Sequence, residues 1–274
     1  MALIAQQLRY GPRYLGAEGH RKVIDFIRAE MEARVDAVVE QAWRHTDAQG
    51  VVHELTNLIG RVKPAQASRI ILATHFDSKR LADKDRHNPA GAVPGANDSA
   101  SGVAVLIEMA RVMAKSPKQP AVGIDFVFFD GEEGEPSQGS DYTQWTPLGS
   151  SYFAQTLDQL YPDGKPQAGI VIDMVCDKDL RLYKEAASVK NAPQVVADVW
   201  RIGQITAAAV FRDKIAFEVR DDHTPLNNAG IPSIILIDPV YEPFHTTRDT
   251  LNQCSPRSLE TVAATLLEYV YSVQ

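Results

Sequence analysis

A chain of 274 residues, 45% hydrophobic and 23% charged, is long and apolar enough to bury a large core, and a single domain over 1–274 is expected. The net charge of −7 is spread along the sequence without a basic stripe, which argues against nucleic acid as a partner. No stretch approaches the roughly 18 consecutive apolar residues of a membrane span, and the opening MALIAQQLRYGPRY lacks the pattern of a signal peptide. The sequence therefore reads as soluble, with a periplasmic or secreted compartment left open.

In chain order, residues 18–34 place Val23, Ile24, Ile27 and Met31 at helical spacing, predicting an amphipathic helix packed on a sheet. Short runs rich in β-branched or aromatic residues follow at 51–62, 70–74, 124–129, 170–174, 215–219 and 233–237, and each predicts a strand. Between them, 100–114 carries Val103, Ile107, Ala110 and Met113 on one helical face. The last helix starts with Ser255 as N-cap and Pro256 in its first turn, and buries Leu259, Val262, Leu266 and Val270. Strands alternating with helices predict a three-layer α/β/α sandwich around a central mixed, mostly parallel sheet. Ligands of such sheets collect beyond the carboxyl ends of the strands. The polar segments 77–97 and 131–150 are longer than connections need to be.

Chemistry-bearing residues stand at those strand ends. The run 70–74 leads into His75-Phe76-Asp77-Ser78-Lys79, with His75 and Asp77 on one side by alternation. Pro94-Gly95-Ala96-Asn97-Asp98 opens a helix, which puts Asp98 near its N-terminus. The strand 124–129 runs straight into Asp130-Gly131-Glu132-Glu133, where three carboxylates repel one another unless a cation or proton sits among them. Asp173 ends another strand, and Pro243-Phe244-His245-Thr246 follows the last one. Taken singly, Asp98 reads equally as a helix cap, Asp173 as a strand terminus and His75 as a core histidine. Together they match the N/O ligand set of catalytic zinc. His20, His45, His53 and His87 lack such company and read as surface or loop residues. Cys176 and Cys254 have no cysteine near them and no CxxC spacing, so neither a disulfide framework nor a thiolate zinc site is indicated.

With those residues in place, the chain resembles the animal-type glutaminyl cyclases, relatives of the zinc-dependent aminopeptidases. The likeness rests on Tyr10-Gly11-Pro12-Arg13-Tyr14, the HxDSK segment at His75–Lys79, Val93-Pro94-Gly95-Ala96-Asn97-Asp98-Ser99-Ala100, Phe128-Phe129-Asp130-Gly131-Glu132-Glu133, the Trp145 segment, Asp221-Asp222-His223 and His245-Thr246. The resemblance implies Asp98, Glu133 and His245 as ligands of one zinc ion and Glu132 as general acid/base. It also implies Asp173 and Asp221 in a carboxylate network with Glu132, and Trp145 and Phe244 as pocket walls. The implied substrates are peptide or protein N-termini, whose glutamine would close to pyroglutamate with release of ammonia. The rival implied by the same motifs is an aminopeptidase holding two zinc ions, the second on His75 and Asp173 with Asp98 bridging. Phe244 stands where animal cyclases carry Trp, the loop at 134–143 is longer than theirs, and their active-site cysteine pair is absent.

Overall fold

The computed structural model describes residues 1–135 and 145–274. Two helices come first, α1 (Ala2–Leu8) and α2 (Glu18–Glu32), then a long hairpin of β1 (Ala37–Thr46) and β2 (Val52–Val62). There follow β3 (Arg69–His75), α3 (Ala100–Lys115), β4 (Gly123–Phe129), α4 (Leu148–Gln155), α5 (Leu157–Leu160) and β5 (Ala168–Asp173). The remainder comprises β6 (Leu182–Glu185), α6 (Ala186–Asn191), α7 (Pro193–Ala207), β7 (Phe211–Phe217), α8 (His223–Asn228), β8 (Ser233–Ile237) and α9 (Pro256–Ser272).

The central sheet runs β1-β2-β4-β3-β5-β8. Its four strands β4, β3, β5 and β8 are parallel, while β2 lies antiparallel to β4 and β1 antiparallel to β2. Period-two alternation sorts each strand between two layers. Ile70, Leu72, Ile124, Phe126, Phe128, Ile170, Ile172, Ile234 and Leu236 face a core built with α2, α3, α7 and α9. Ile71, Ala73, Val127, Phe129, Val171, Ile235 and Ile237 face a second core with Phe153, Leu157 and Leu226 from α4, α5 and α8. This is the three-layer sandwich, and burial on both faces is why the central strands read as unbroken apolar runs.

Two glycines set the geometry beneath the site. Gly102 lets α3 lie close on β3, since a Cβ there would stand 2.0 Å from Thr74 Oγ1. Gly131, at φ +69°, reverses the chain directly after β4 and turns the following glutamates back over the sheet edge.

The structure departs from expectation in several places. The strand predicted at 215–219 is β7, ends at Phe217 and pairs with β6 in a separate two-stranded parallel sheet, outside the main sheet. The hairpin arm β1 is an edge strand whose residues are half-buried or exposed, so it carries no core-facing apolar run. His20 is not a surface residue: it is buried on α2 and its Nε2 lies 2.6 Å from Asp130 Oδ1. The two cysteines also pair. Cys176 and Cys254 form a disulfide across 78 residues of sequence, because Cys254 pairs as a bridge with Asp177 and Ser255 N–H donates to the Cys176 carbonyl at 2.7 Å. Most of the long loop expected at 134–143 lies outside the described residues.

Candidate active site

Because β3, β4, β5 and β8 run in one direction, their carboxyl ends share one edge of the sheet. His75 closes β3, Asp173 closes β5, Glu132 and Glu133 follow the turn after β4, and His245 arrives on the loop beyond β8. Asp98 comes from the turn before α3, where its N–H and that of Asn97 donate to the two carboxylate oxygens of Asp249 at 3.1 and 2.9 Å. The Asp98–Ser99 peptide is cis.

These side chains meet in two groups that share Asp98. Asp98 Oδ2 lies 3.6 Å and Glu133 Oε2 3.4 Å from His245 Nε2. Asp98 Oδ1 and Asp173 Oδ1 each lie 3.2 Å from His75 Nε2. In each group of three the ligating atoms all fall within 4.8 Å of one another, and all five residues are buried. Atoms held at about 2.0–2.2 Å by a tetrahedral zinc stand about 3.3–3.6 Å apart, so both groups have the span of a zinc shell. Glu133 Oε1 is buried without a hydrogen-bond partner among the described residues, an orphan acceptor that a cation would satisfy.

The electrostatics are those of acids crowded out of water. Burial pushes Glu132 well above the usual carboxylate range, helped by Asp221, Glu133 and Asp222 and opposed by His75, whose Nδ1 is 3.9 Å away. Burial and Glu133 raise Asp98, and burial and Asp98 raise Asp173. Asp221 is held up to about 7 by burial and Asp173. Glu133 is the exception. Burial would raise it, yet His245 and the Lys79 ammonium, 3.2 Å from Oε2, outweigh burial and keep it below the ordinary range. Burial would lower both imidazoles, but Glu133 and Asp83 carry His245 up to about 9, and Asp173, Asp77 and Asp98 carry His75 well above its usual value. Acids held up and imidazoles charged are the signature of a pocket short of positive charge.

Every predicted site residue is in or beside this cluster. Asp221 lies before α8, its Oδ1 accepting the Asp222 N–H at 2.6 Å. The Trp145 indole N–H donates to the Glu132 carbonyl at 2.9 Å, tying that side chain to the residue expected as acid/base. Phe244 stacks on the His245 ring with centroids 3.8 Å apart.

Three further residues support the site, and two of them, Asp249 and Asp83, are not expected from the sequence. Asp77 accepts the N–H groups of Glu132 and Glu133, each at 3.1 Å, and lies 3.4 Å from His75 Nδ1, so it fixes both glutamates and one imidazole. Asp249 supports the Asp98 turn and accepts the Tyr241 hydroxyl at 2.6 Å. Asp83 lies 3.0 Å from His245 Nδ1. Alternation beyond the strand end places Asp77 beside His75 in the sequence alone; nothing local marks the other two.

A mixed α/β/α sheet carrying shared histidine–carboxylate groups at its carboxyl edge defines the class, an enzyme fold with a candidate metal centre. More particularly, the chain belongs to Peptidase family M28, whose family model matches residues 57–270. It is similar to a glutaminyl-peptide cyclotransferase of Boiga dendrophila, 21% identical over 94% of this chain and 76% of the relative. Among solved structures it is similar to the glutaminyl cyclase of Tannerella forsythia, 30% identical with a TM-score of 0.90, covering 100% of this chain and 97% of that one. It is also similar to a leucine aminopeptidase precursor from Bacteroides thetaiotaomicron, 28% identical with a TM-score of 0.92, covering 100% and 96%.

Proposed function

We propose that this protein is a zinc-dependent glutaminyl-peptide cyclotransferase, converting the N-terminal glutamine of peptides to pyroglutamate with release of ammonia. The observation that carries the reading is Glu132, a buried carboxyl with a raised proton affinity, beside a three-residue group of zinc-like span on a chain alike in full length to a glutaminyl cyclase. Asp98, Glu133 and His245 would hold the ion. Zinc bound there supplies Lewis-acid polarisation of the substrate's γ-carboxamide.

The protein's own groups do the rest. The substrate's α-amine attacks the carbonyl carbon of its own γ-carboxamide, so nucleophile and electrophile belong to one molecule and orientation supplies much of the rate. Trp145 and Phe244 wall the pocket and hold the chain end in the folded-back pose. Glu132 accepts a proton from the α-amine and returns one to the departing nitrogen. One C–N bond forms, the amide C–N bond breaks, and ammonia leaves. Asp173 and Asp221, close enough to raise the proton affinity of their neighbours, keep Glu132 poised between its two states.

A second reading has its own support. Asp98 turns one oxygen to His75 and the other to His245, as a carboxylate bridging two ions would, which favours an aminopeptidase with two zinc ions. A parallel assay of Gln- and Leu-terminal peptides, with zinc quantified on the same sample, separates the two. Cyclisation of the Gln peptide with about one zinc per chain is expected. Hydrolysis of the Leu peptide, two ions and inertness to Gln peptides would replace the cyclase by the peptidase. The Cys176–Cys254 disulfide favours an oxidising compartment, periplasmic or secreted. No helix among the described residues is long and apolar enough to cross a membrane.

A further inference from the structure

The loop between β3 and α3 grips the segment that carries His245 at three successive residues. Asp83 Oδ1 lies 3.0 Å from His245 Nδ1, with both side chains almost fully buried. Lys84 N–H donates to the His245 carbonyl at 3.2 Å. Asp85 accepts the Thr247 N–H at 3.0 Å and the Thr247 hydroxyl, while its other oxygen accepts the His87 and Asn88 N–H groups and so stiffens the loop itself. His245 sits at φ +54°, a left-handed backbone that a non-glycine residue keeps only when its surroundings impose it.

The three contacts differ in what they can do. Those of Lys84 and Asp85 fall on backbone and on Thr247, and hold the segment in place. Asp83 alone of the three reaches the imidazole. His245 turns Nε2 toward Asp98 and Glu133, and that nitrogen can give its lone pair to a metal only if the ring proton stands on Nδ1. The Asp83 carboxyl oxygen placed 3.0 Å from Nδ1 is the acceptor for that proton, so Asp83 selects that tautomer, fixes the ring plane and makes the imidazole a better donor.

We propose that Asp83 is a positioning residue for the metal centre, setting the tautomer and orientation of His245 through a loop clasp formed by Asp83, Lys84 and Asp85. The inference rests on the zinc reading given above, and it assigns a purpose to the length of the loop after β3.

The test is zinc affinity by chelator competition on the Asp83→Asn protein, together with melting of the metal-free form and the absorption spectrum of the cobalt(II)-substituted form. Asn keeps the size of Asp but offers Nδ1–H only a neutral acceptor. Affinity should fall about 10–100-fold and the cobalt bands should shift, while the metal-free protein, which loses one buried contact to the His245 imidazole, should melt only modestly lower. Asp83→Glu should recover part of the affinity. Unchanged affinity and spectrum would overturn the proposal, as would a loss of metal-free stability large enough to account for the whole effect. Should Asp83→Asn fail to fold, Asp83→Ser carries the same comparison. A wild-type protein that takes up no zinc at all would instead overturn the zinc reading, so the two failures are distinguishable.

Discussion

Replacing Glu132 by Gln separates the proposed acid/base from the proposed ligand beside it. Gln matches Glu in shape but carries no transferable proton, and position 132 is not in the Asp98, Glu133, His245 group. General acid–base catalysis contributes about 10²–10⁴ in rate, or about 3–5 kcal/mol of barrier. kcat should therefore fall by that factor while zinc content stays near the wild-type value. The metal-free protein supplies a second readout. Burial raises the Glu132 proton affinity, so the folded state resists ionising it, and stability is complete below the unfolded value and lost as pH rises toward the folded one. At neutral pH that cost reaches at most a few kcal/mol at about 1.4 kcal/mol per pH unit, and Gln removes it. Metal-free Glu132→Gln should thus melt above the metal-free wild type at pH 7, with the gap closing toward pH 4. Ammonia release, zinc quantification and calorimetry on one preparation decide it. A variant that loses its zinc would show that the roles of Glu132 and Glu133 are exchanged, and one keeping more than about a tenth of wild-type kcat would remove Glu132 from proton transfer.

Joint replacement of Cys176 and Cys254 by Ala should cost about 4–5 kcal/mol, the chain-entropy value for a closed loop of 78 residues, and lower the melting temperature by on the order of 10 °C in scanning calorimetry. Identical melting with and without the pair would refute the crosslink as a stabiliser. Burial holds the Asp238 carboxyl up to about 6, so its contribution to stability is present below about pH 4 and lost as pH rises through 6. In urea melts, the stability difference between Asp238→Asn and wild type should shift in favour of the variant by up to about 3 kcal/mol from pH 4 to pH 7; a pH-independent difference would contradict it. Zinc stoichiometry should rise from about one ion per chain at neutral pH toward two in alkaline buffer, because His75 of the second group is held charged by its carboxylates and must shed a proton before it can bind. Two ions bound at neutral pH would refute that competition.

What could be read in the sequence follows from how each feature is encoded. β3, β4, β5 and β8 are buried on both faces and so stand out as apolar runs, and an acid or histidine directly after such a run marks the sheet edge. That is why His75, Glu132, Glu133 and Asp173 were legible. β1 was not, because an edge strand alternates exposed polar with half-buried residues. α7 is a different case: Pro193 in its first turn and the buried stripe Val195, Val196, Val199, Trp200 and Ile202 encode it locally, as Pro256 and its stripe encode α9. The cysteine pairing spans 78 residues and leaves no local mark. Asp83 and Asp249 act across the fold on His245 and on the Asp98 turn, and only the folded chain brings them there.

The choice between one ion and two turns on what occupies the group made by His75, Asp98 and Asp173. Without a second ion, the two carboxylates face each other across an imidazole nitrogen at 3.2 Å, and that is tolerable in a buried pocket only if a proton is shared among them. Asp173, Asp77 and Asp98 outweigh burial and hold the proton on His75 well into the neutral range. A proton there does the electrostatic work of a cation, and it leaves His75 without a lone pair to offer. The other group differs in its carboxylate: Lys79 and His245 keep Glu133 ionised and its buried Oε1 has no hydrogen-bond partner among the described residues, so a cation there meets an acceptor already charged, while His245 sheds its Nε2 proton and keeps Nδ1–H on Asp83. Five residues suited to two ions can therefore serve a one-zinc enzyme near neutral pH, with the proton on His75 as the stand-in for the second metal.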